Sequence, residues 1–148
     1  MALSPKSLSW VREERPTWDD ARMRVVGRTP AGVFDLPQTA PGQVVPGEWW
    51  RVEDEGRVVG YGWMDQVWGE GEILLAVDPD ARGHGVGSFI LDRLEAEAAS
   101  RGLRYVYNSV RPTHPQRQQV SAWLRARGFS HADHGDRLQR QVRSAGAA

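Results

Sequence analysis

The sequence predicts an α+β (broadly α/β) fold: a mixed, mostly antiparallel sheet that holds one parallel pair of strands and is flanked by helices. Three observations carry this. Runs 48–53, 57–65 and 70–77 are strand-like and separated only by turns at Asp54-Glu55-Gly56 and Trp68-Gly69, the pattern of an antiparallel meander. Val86, Phe89, Ile90, Leu94 and Ala98 then recur at helical spacing. Residues 104–110 return to strand alternation, and a helix joining two neighbouring strands makes that pair parallel, with a right-handed crossover.

The other elements follow in order. Thr17, with Asp20 three residues on, reads as an N-cap, so 18–26 is a short helix ended by Gly27. Prolines and glycines recur from 28 to 47, which marks a long loop of the kind that often carries function. Gly102 stands where the helix after Val86 needs a C-terminal cap. Thr113 and Gln116 form a capping box, Val120, Trp123 and Leu124 make one apolar face, and Gly128 closes that helix. Residues 129–134 and 137–142 read as a closing hairpin around His134-Gly135-Asp136, followed by a frayed tail at 144–148. No internal repeat is visible, and 148 residues suit one domain spanning 1–148.

Composition narrows the chemistry. There is no cysteine, which removes disulfides, thiolate metal sites and a cysteine nucleophile together. No apolar run approaches the roughly eighteen residues of a membrane helix, and the first residues lack the apolar centre of a signal peptide, so a soluble cytoplasmic protein is expected, with no membrane partner. The net charge is zero, yet Lys and Arg number ten against seventeen acids in residues 1–100 and nine against two in 101–148. Such a basic C-terminal third suits an anionic ligand or an acidic partner protein; scattered arginines on a solvated face are the alternative. Nucleic acid is not expected, because no basic run is interleaved with aromatics. His131, Asp133 and His134 lack a third placed ligand, so no metal is expected. A serine hydrolase is excluded by the missing G-x-S-x-G elbow.

The segment Asp78-Pro79-Asp80-Ala81-Arg82-Gly83-His84-Gly85-Val86-Gly87-Ser88 lies between a strand and a helix. Unpaired N–H groups and the positive end of the helix dipole make such a turn a phosphate cradle. Gly83, Gly85 and Gly87 then let oxygens approach the main chain, and Arg82 adds a charge-assisted contact. A tight turn needing positive φ explains the same glycines equally well. The Walker lysine is absent, and G-x-G-x-G after a meander is not the dinucleotide fingerprint.

The order of meander, Arg82-Gly83-His84-Gly85-Val86-Gly87, helix, strand, helix and Gly128-Phe129 resembles the GNAT superfamily of acyl-CoA-dependent N-acyltransferases. Arg82, Gly85 and Gly87 match its Arg/Gln-x-x-Gly-x-Gly/Ala signature, and Val77-Asp78-Pro79 before it is typical. The resemblance covers roughly residues 48–129. It implies a GNAT-type sheet whose parallel pair splays around a coenzyme A cleft. It also implies acetyl-CoA as co-substrate, with the pyrophosphate on Arg82, Gly83, His84, Gly85, Val86, Gly87 and Ser88. Main-chain groups of Ala76 and Val77 then hold the pantetheine and polarise the thioester carbonyl, as donors aimed at a developing oxyanion do. Homodimers are common in the family; nothing in this sequence marks an interface.

The implied reaction is direct attack of an amine on the thioester, which needs a base for the amine and an acid for the departing thiolate. The family's base is a carboxylate early in the 70–77 strand. Glu72 is the candidate, with Glu70 beside it and the usual position falling on Gly71; solvated hairpin acids are the other reading. The family's tyrosine, five residues before the phenylalanine of the Gly-Phe pair, is replaced by Leu124. Its asparagine early in the same helix is replaced by Arg117, which either meets coenzyme A phosphates or is solvated. His114 is the substitute acid or base, with Ser109, Tyr107 and water as alternatives. The acceptor expected is a small-molecule primary amine. Acylation of an amine on a protein, including an acidic carrier, and a non-catalytic acyl-CoA-binding module are the competing readings. Of the adjacent Trp49 and Trp50, one is expected to face solvent, a partner or the acceptor.

Overall fold

The computed structural model describes residues 7–26, 41–45, 47–109, 116–132 and 137–142. In chain order they form β1 (Leu8–Arg12), α1 (Asp20–Val25), β2 (Glu48–Asp54), β3 (Arg57–Val67), β4 (Glu70–Val77), α2 (Val86–Ser100), β5 (Tyr105–Ser109), α3 (Arg117–Ala126), β6 (Ser130–His131) and β7 (Arg137–Gln141). One seven-stranded sheet results, in the order β1-β2-β3-β4-β5-β7-β6. β4 and β5 are parallel and the other neighbours antiparallel. The mixed fold read from the sequence is therefore the fold observed. Among the described residues no helix is long and apolar enough to cross a membrane.

Strand alternation sorts the side chains into two cores. Trp50, Val52, Met64, Ile73, Val106 and Leu138 pack under α2 and α3, while Trp49, Tyr61 and Ala76 pack with Val25 and Val26 on the α1 side. Adjacent Trp49 and Trp50 do point to opposite faces, but both are buried, which corrects the expectation that one is exposed. Trp68, at the β3–β4 turn, is instead the 97 % exposed tryptophan. Ile90, Leu91 and Leu94 of α2 are fully buried, each contributing about 1.5–3 kcal/mol by burial. α2 lies this close to β3 because of two glycines. A Cβ on Gly60 would stand 3.0 Å from Ile90, and one on Gly62 2.7 Å from Trp10, whose ring stacks on Trp50 at 5.5 Å.

Several boundaries differ from those predicted. β1 was not legible, since its five residues find their partner in β2 some forty positions later. The cap of α1 is Asp19, which accepts from the Arg22 N–H at 2.8 Å, whereas Thr17 forms a bridge with Val44. Most of the 28–47 loop, Thr113, His114 and the 133–136 turn lie outside the described residues. α3 begins at Arg117 with Gln116 as its N-cap, whose side chain makes no capping bond to the helix, so the helix starts later than a cap at Thr113 predicts. Gly102 and Gly128 do end their helices in the left-handed region, at φ +69° and +88°. The Asp54-Glu55-Gly56 and Trp68-Gly69 turns form as expected, with Glu55, Gly56, Trp68 and Gly69 all at positive φ.

The α1-side core contains a buried cation. Arg22 is paired with the Glu13 carboxylate, donates to the Thr17 carbonyl, and lies 4.5 Å from the Trp49 ring and 4.7 Å from the Tyr61 ring. Pairing and hydrogen bonds make its burial tolerable. Tyr61 is less well served. Its buried hydroxyl has no hydrogen-bond partner among the described residues, and burial, with Asp19 next in weight, pushes its pKa up. Tyr61→Phe is expected to stabilise the fold at neutral pH by about 1 kcal/mol, the cost of an unsatisfied hydroxyl. The raised pKa also means that wild-type stability is retained below the ordinary tyrosine value of 10.0 and declines as pH rises through it, because only the unfolded chain ionises there. Urea midpoints at pH 7 and above pH 10 check both points, the variant losing less at high pH.

Candidate active site

Among the described residues the parallel β4–β5 ladder has two rungs, Gly71 to Val106 and Glu72 to Tyr107. Beyond them the strands part. The Asn108 side-chain amide donates to the Ile73 carbonyl at 2.8 Å, so the Ile73 main chain faces β5. The Asp78 N–H donates to the Val59 carbonyl, so position 78 faces β3. With β4 paired to β3 without a bulge, alternation turns the main-chain groups of Leu75 and Val77 into the gap. Ala76, one of the two positions expected to hold the pantetheine, turns its main chain to β3 and its side chain into the α1-side core.

At the open end of the gap the chain enters the glycine turn. Asp78 holds it: its carboxylate accepts from the Asp80 N–H at 3.0 Å and its carbonyl from the Ala81 N–H at 2.8 Å. Arg24 and Arg57 pair with the same carboxylate at 3.2 and 3.6 Å. Gly83 and Gly85 both adopt φ +81°, and Gly85 is the N-cap of α2. No atom of the described residues outside the turn's own neighbours lies within 4 Å of where a Cβ would stand on either, so the turn looks onto open space. Gly87 is glycine for another reason, since its Cβ would meet the Trp123 ring at 3.2 Å.

The charge of this turn is positive. The first N–H groups of α2 have no intrahelical acceptor, and its first turn carries no acid. Arg127, at the end of α3, donates to the Ser88 hydroxyl at 2.8 Å, stacks 3.8 Å over Trp123 and donates to the Trp123 carbonyl. Among the described residues no carboxylate pairs with it. Arg82 and His84 are exposed on the same turn. A guanidinium placed at the positive end of a helix raises the local potential, and open space lined by left-handed glycines gives an anion room to reach the N–H groups. These residues fit a diphosphate.

The closed end of the gap is acidic on the α1 side of the sheet. Glu72 is directly across from Asp65 on β3 and from Tyr107 on β5. Glu70 pairs with Arg137, whose guanidinium lies 3.8 Å over the Tyr107 ring. Burial first, and the Glu72 charge second, push the Tyr107 pKa up. Gly71 turns the other way, where a Cβ would meet Met64 Sδ at 3.2 Å, so the carboxylate on this face is Glu72. Leu124 is core. Arg117 is exposed at the start of α3, Ser109 is exposed at the end of β5, and His114 lies outside the described residues. The structure thus groups Val77 with 82–88 at one end and Glu72 with Tyr107 at the other. Asn108 and Arg127 were not singled out from sequence; a lone amide at a core-facing position of β5 was the available signal for the first.

Comparisons with known proteins agree with this geometry. The Acetyltransferase (GNAT) family profile matches residues 8–129. The chain belongs to that family and is an acyl-CoA-dependent N-acyltransferase by class. Solved structures with the same fold include the ribosomal-protein-S18-alanine N-acetyltransferase of Escherichia coli (TM-score 0.54, 21% identity, covering 67% of this chain and 71% of that one). A phosphinothricin acetyltransferase from Sinorhizobium meliloti in complex with AcCoA gives 0.54 and 22%, over 69% and 64% of the two chains. N-acetylglutamate synthase from Neisseria gonorrhoeae, complexed with coenzyme A and L-arginine, gives 0.55 and 22%, over 64% of this chain and 24% of that one. Comparison with curated proteins gives no match.

The Gly87–Trp123 contact is directly testable. Gly87→Val is expected to cost about 1–3 kcal/mol by overpacking against the ring. Adding Trp123→Leu should recover part of that loss. Urea denaturation of the two single variants and the double variant measures the coupling, and strict additivity would show that the two residues do not meet.

Proposed function

We propose that this chain transfers the acetyl group of acetyl-CoA to a primary amine of a small molecule, by direct attack of the amine on the thioester. The observation that carries the reading is the splayed β4–β5 pair, which joins an anion-binding turn at one end to a carboxylate and a tyrosine at the other. In this reading the N–H groups of 83–88, with Arg82, His84, Arg127 and Arg117, hold the phosphates. The main-chain groups of Leu75 and Val77 that face the gap, with Ala76 behind them, align the pantetheine. Val86 and Ser88 set the first turn of α2 against the diphosphate. Coenzyme A supplies the activated acyl group; the chain supplies alignment and proton transfer.

Glu72 is the base in this reading. An alkyl amine is protonated at neutral pH and attacks only after losing that proton, so a carboxylate on the α1 side of the last rung is suitably placed. Tyr107 is the acid. Its raised pKa keeps the hydroxyl a donor, and it stands across the ladder from the base. It takes the role expected of His114. The acids around Glu72 favour a cationic acceptor, as an amine is before attack.

Calorimetric titration with acetyl-CoA, with adenosine diphosphate as control, tests the cofactor half. Saturable binding is expected, abolished by Gly85→Val, whose β-branched side chain is strained at φ +81°, and weakened about tenfold by Arg127→Gln, which removes one charge-assisted contact. No binding of either ligand to the wild type overturns the reading. Thiol release then tests the catalytic half on an amine panel: Glu72→Gln and Tyr107→Phe should each lower kcat by about 10²-fold. Because the Tyr107 pKa is raised, the wild-type rate should show no alkaline decline up to pH 10.0, its ordinary value. A decline below that, unchanged in Tyr107→Phe, excludes Tyr107 as the acid.

A further inference from the structure

In an unbroken parallel ladder, the carbonyl of Ile73 would accept from the next main-chain N–H of β5. Here it accepts instead from the Asn108 side chain, at 2.8 Å. The amide is a side-chain plug in a main-chain rung. It sits where the two strands diverge, one position beyond the last paired residues, Glu72 and Tyr107. It satisfies the first carbonyl that the parting strands would orphan. By alternation the next main-chain groups that face the gap belong to Leu75.

We infer that Asn108 is a positioning residue that fixes how deep an acyl-CoA can enter the gap, and so restricts the enzyme to short acyl groups. The inference rests on the proposed binding of the pantetheine arm between β4 and β5. An arm that pairs with β4 can shift only in steps of two residues, because alternate residues face β3. With the Ile73 carbonyl taken, the innermost available partner is Leu75. One step deeper would seat the arm on Ile73, and this is the step Asn108 blocks. The same side chain occupies the vertex toward which the acyl chain points. Its amide donates its bond to Ile73 and has no second partner among the described residues.

Calorimetry with acetyl-, butyryl- and hexanoyl-CoA, which needs no acceptor, tests this. Wild type should bind acetyl-CoA at least about tenfold more tightly than hexanoyl-CoA, the discrimination that one or two methylenes command in a closed pocket. Asn108→Leu keeps the bulk and removes the donor; Asn108→Ala removes both. Each variant is required to melt within a few degrees of wild type. The preference should fall to within about threefold in Asn108→Ala and shift partway in Asn108→Leu, a ratio that a loss of stability alone does not move. An unchanged ratio in either folded variant overturns the proposal. So does a wild type that binds hexanoyl-CoA as tightly as acetyl-CoA, an outcome independent of whether the variants fold. Absence of binding for all three ligands to wild type is a different failure, that of the cofactor reading itself.

Discussion

The early end of the β4–β5 ladder is the constraint on which the rest of the structure depends. Among the described residues β4 is tied to β3 through eight paired positions and β5 to β7 through five, but β4 and β5 share two. Each strand therefore follows its own half of the sheet, and the twist of the halves draws them apart. Parting strands leave main-chain N–H and C=O groups unpaired, which is costly unless water or a ligand takes them. In the proposed function a ligand with amides of its own lies in this gap and takes those groups. α2 bridges the halves on one face, and Asn108 closes the vertex.

The glycine turn shows how one stretch answers several demands. Gly83 and Gly85 are required by left-handed backbone and Gly87 by the Trp123 ring. At Gly83 and Gly85 no atom of the described residues crowds the outside of the turn. That outside is open, and it faces N–H groups, the end of the helix dipole and Arg127. Asp78 makes the arrangement rigid from below, since it receives bonds from the turn it precedes and ion pairs from α1 and β3. Removing that carboxylate would release three elements at once.

Electrostatics gives the gap a direction. The turn end carries Arg82, Arg127 and the N-terminus of α2, while the vertex carries Asp65, Glu70 and Glu72, of which Glu70 pairs with Arg137. In the proposed function this gradient aligns a ligand with phosphates at one end, and an amine at the other, before any specific contact forms. Tyr107 lies at its acidic end, where burial and the neighbouring negative charge disfavour ionisation of its hydroxyl.

The sequence by itself determined the elements with strong local patterns. Alternation in β2 to β4, helical spacing from Val86 to Ala98, and glycines at 56, 69, 102 and 128 are local signals, because backbone dihedrals and face periodicity are set within a few residues. The glycine signature and the closing Gly-Phe pair likewise named the family. What needed tertiary structure was every feature decided by partners distant in the chain. β1 is a strand only because β2 returns beside it, and Trp49 and Trp50 are both buried only because helices cover both faces. The same holds within the site: Glu72 rather than Gly71 faces the α1 side, Tyr107 is its neighbour, Arg127 reaches Ser88, and Asn108 caps Ile73. Those relations depend on register between strands and on the docking of α3, which no short stretch of residues encodes.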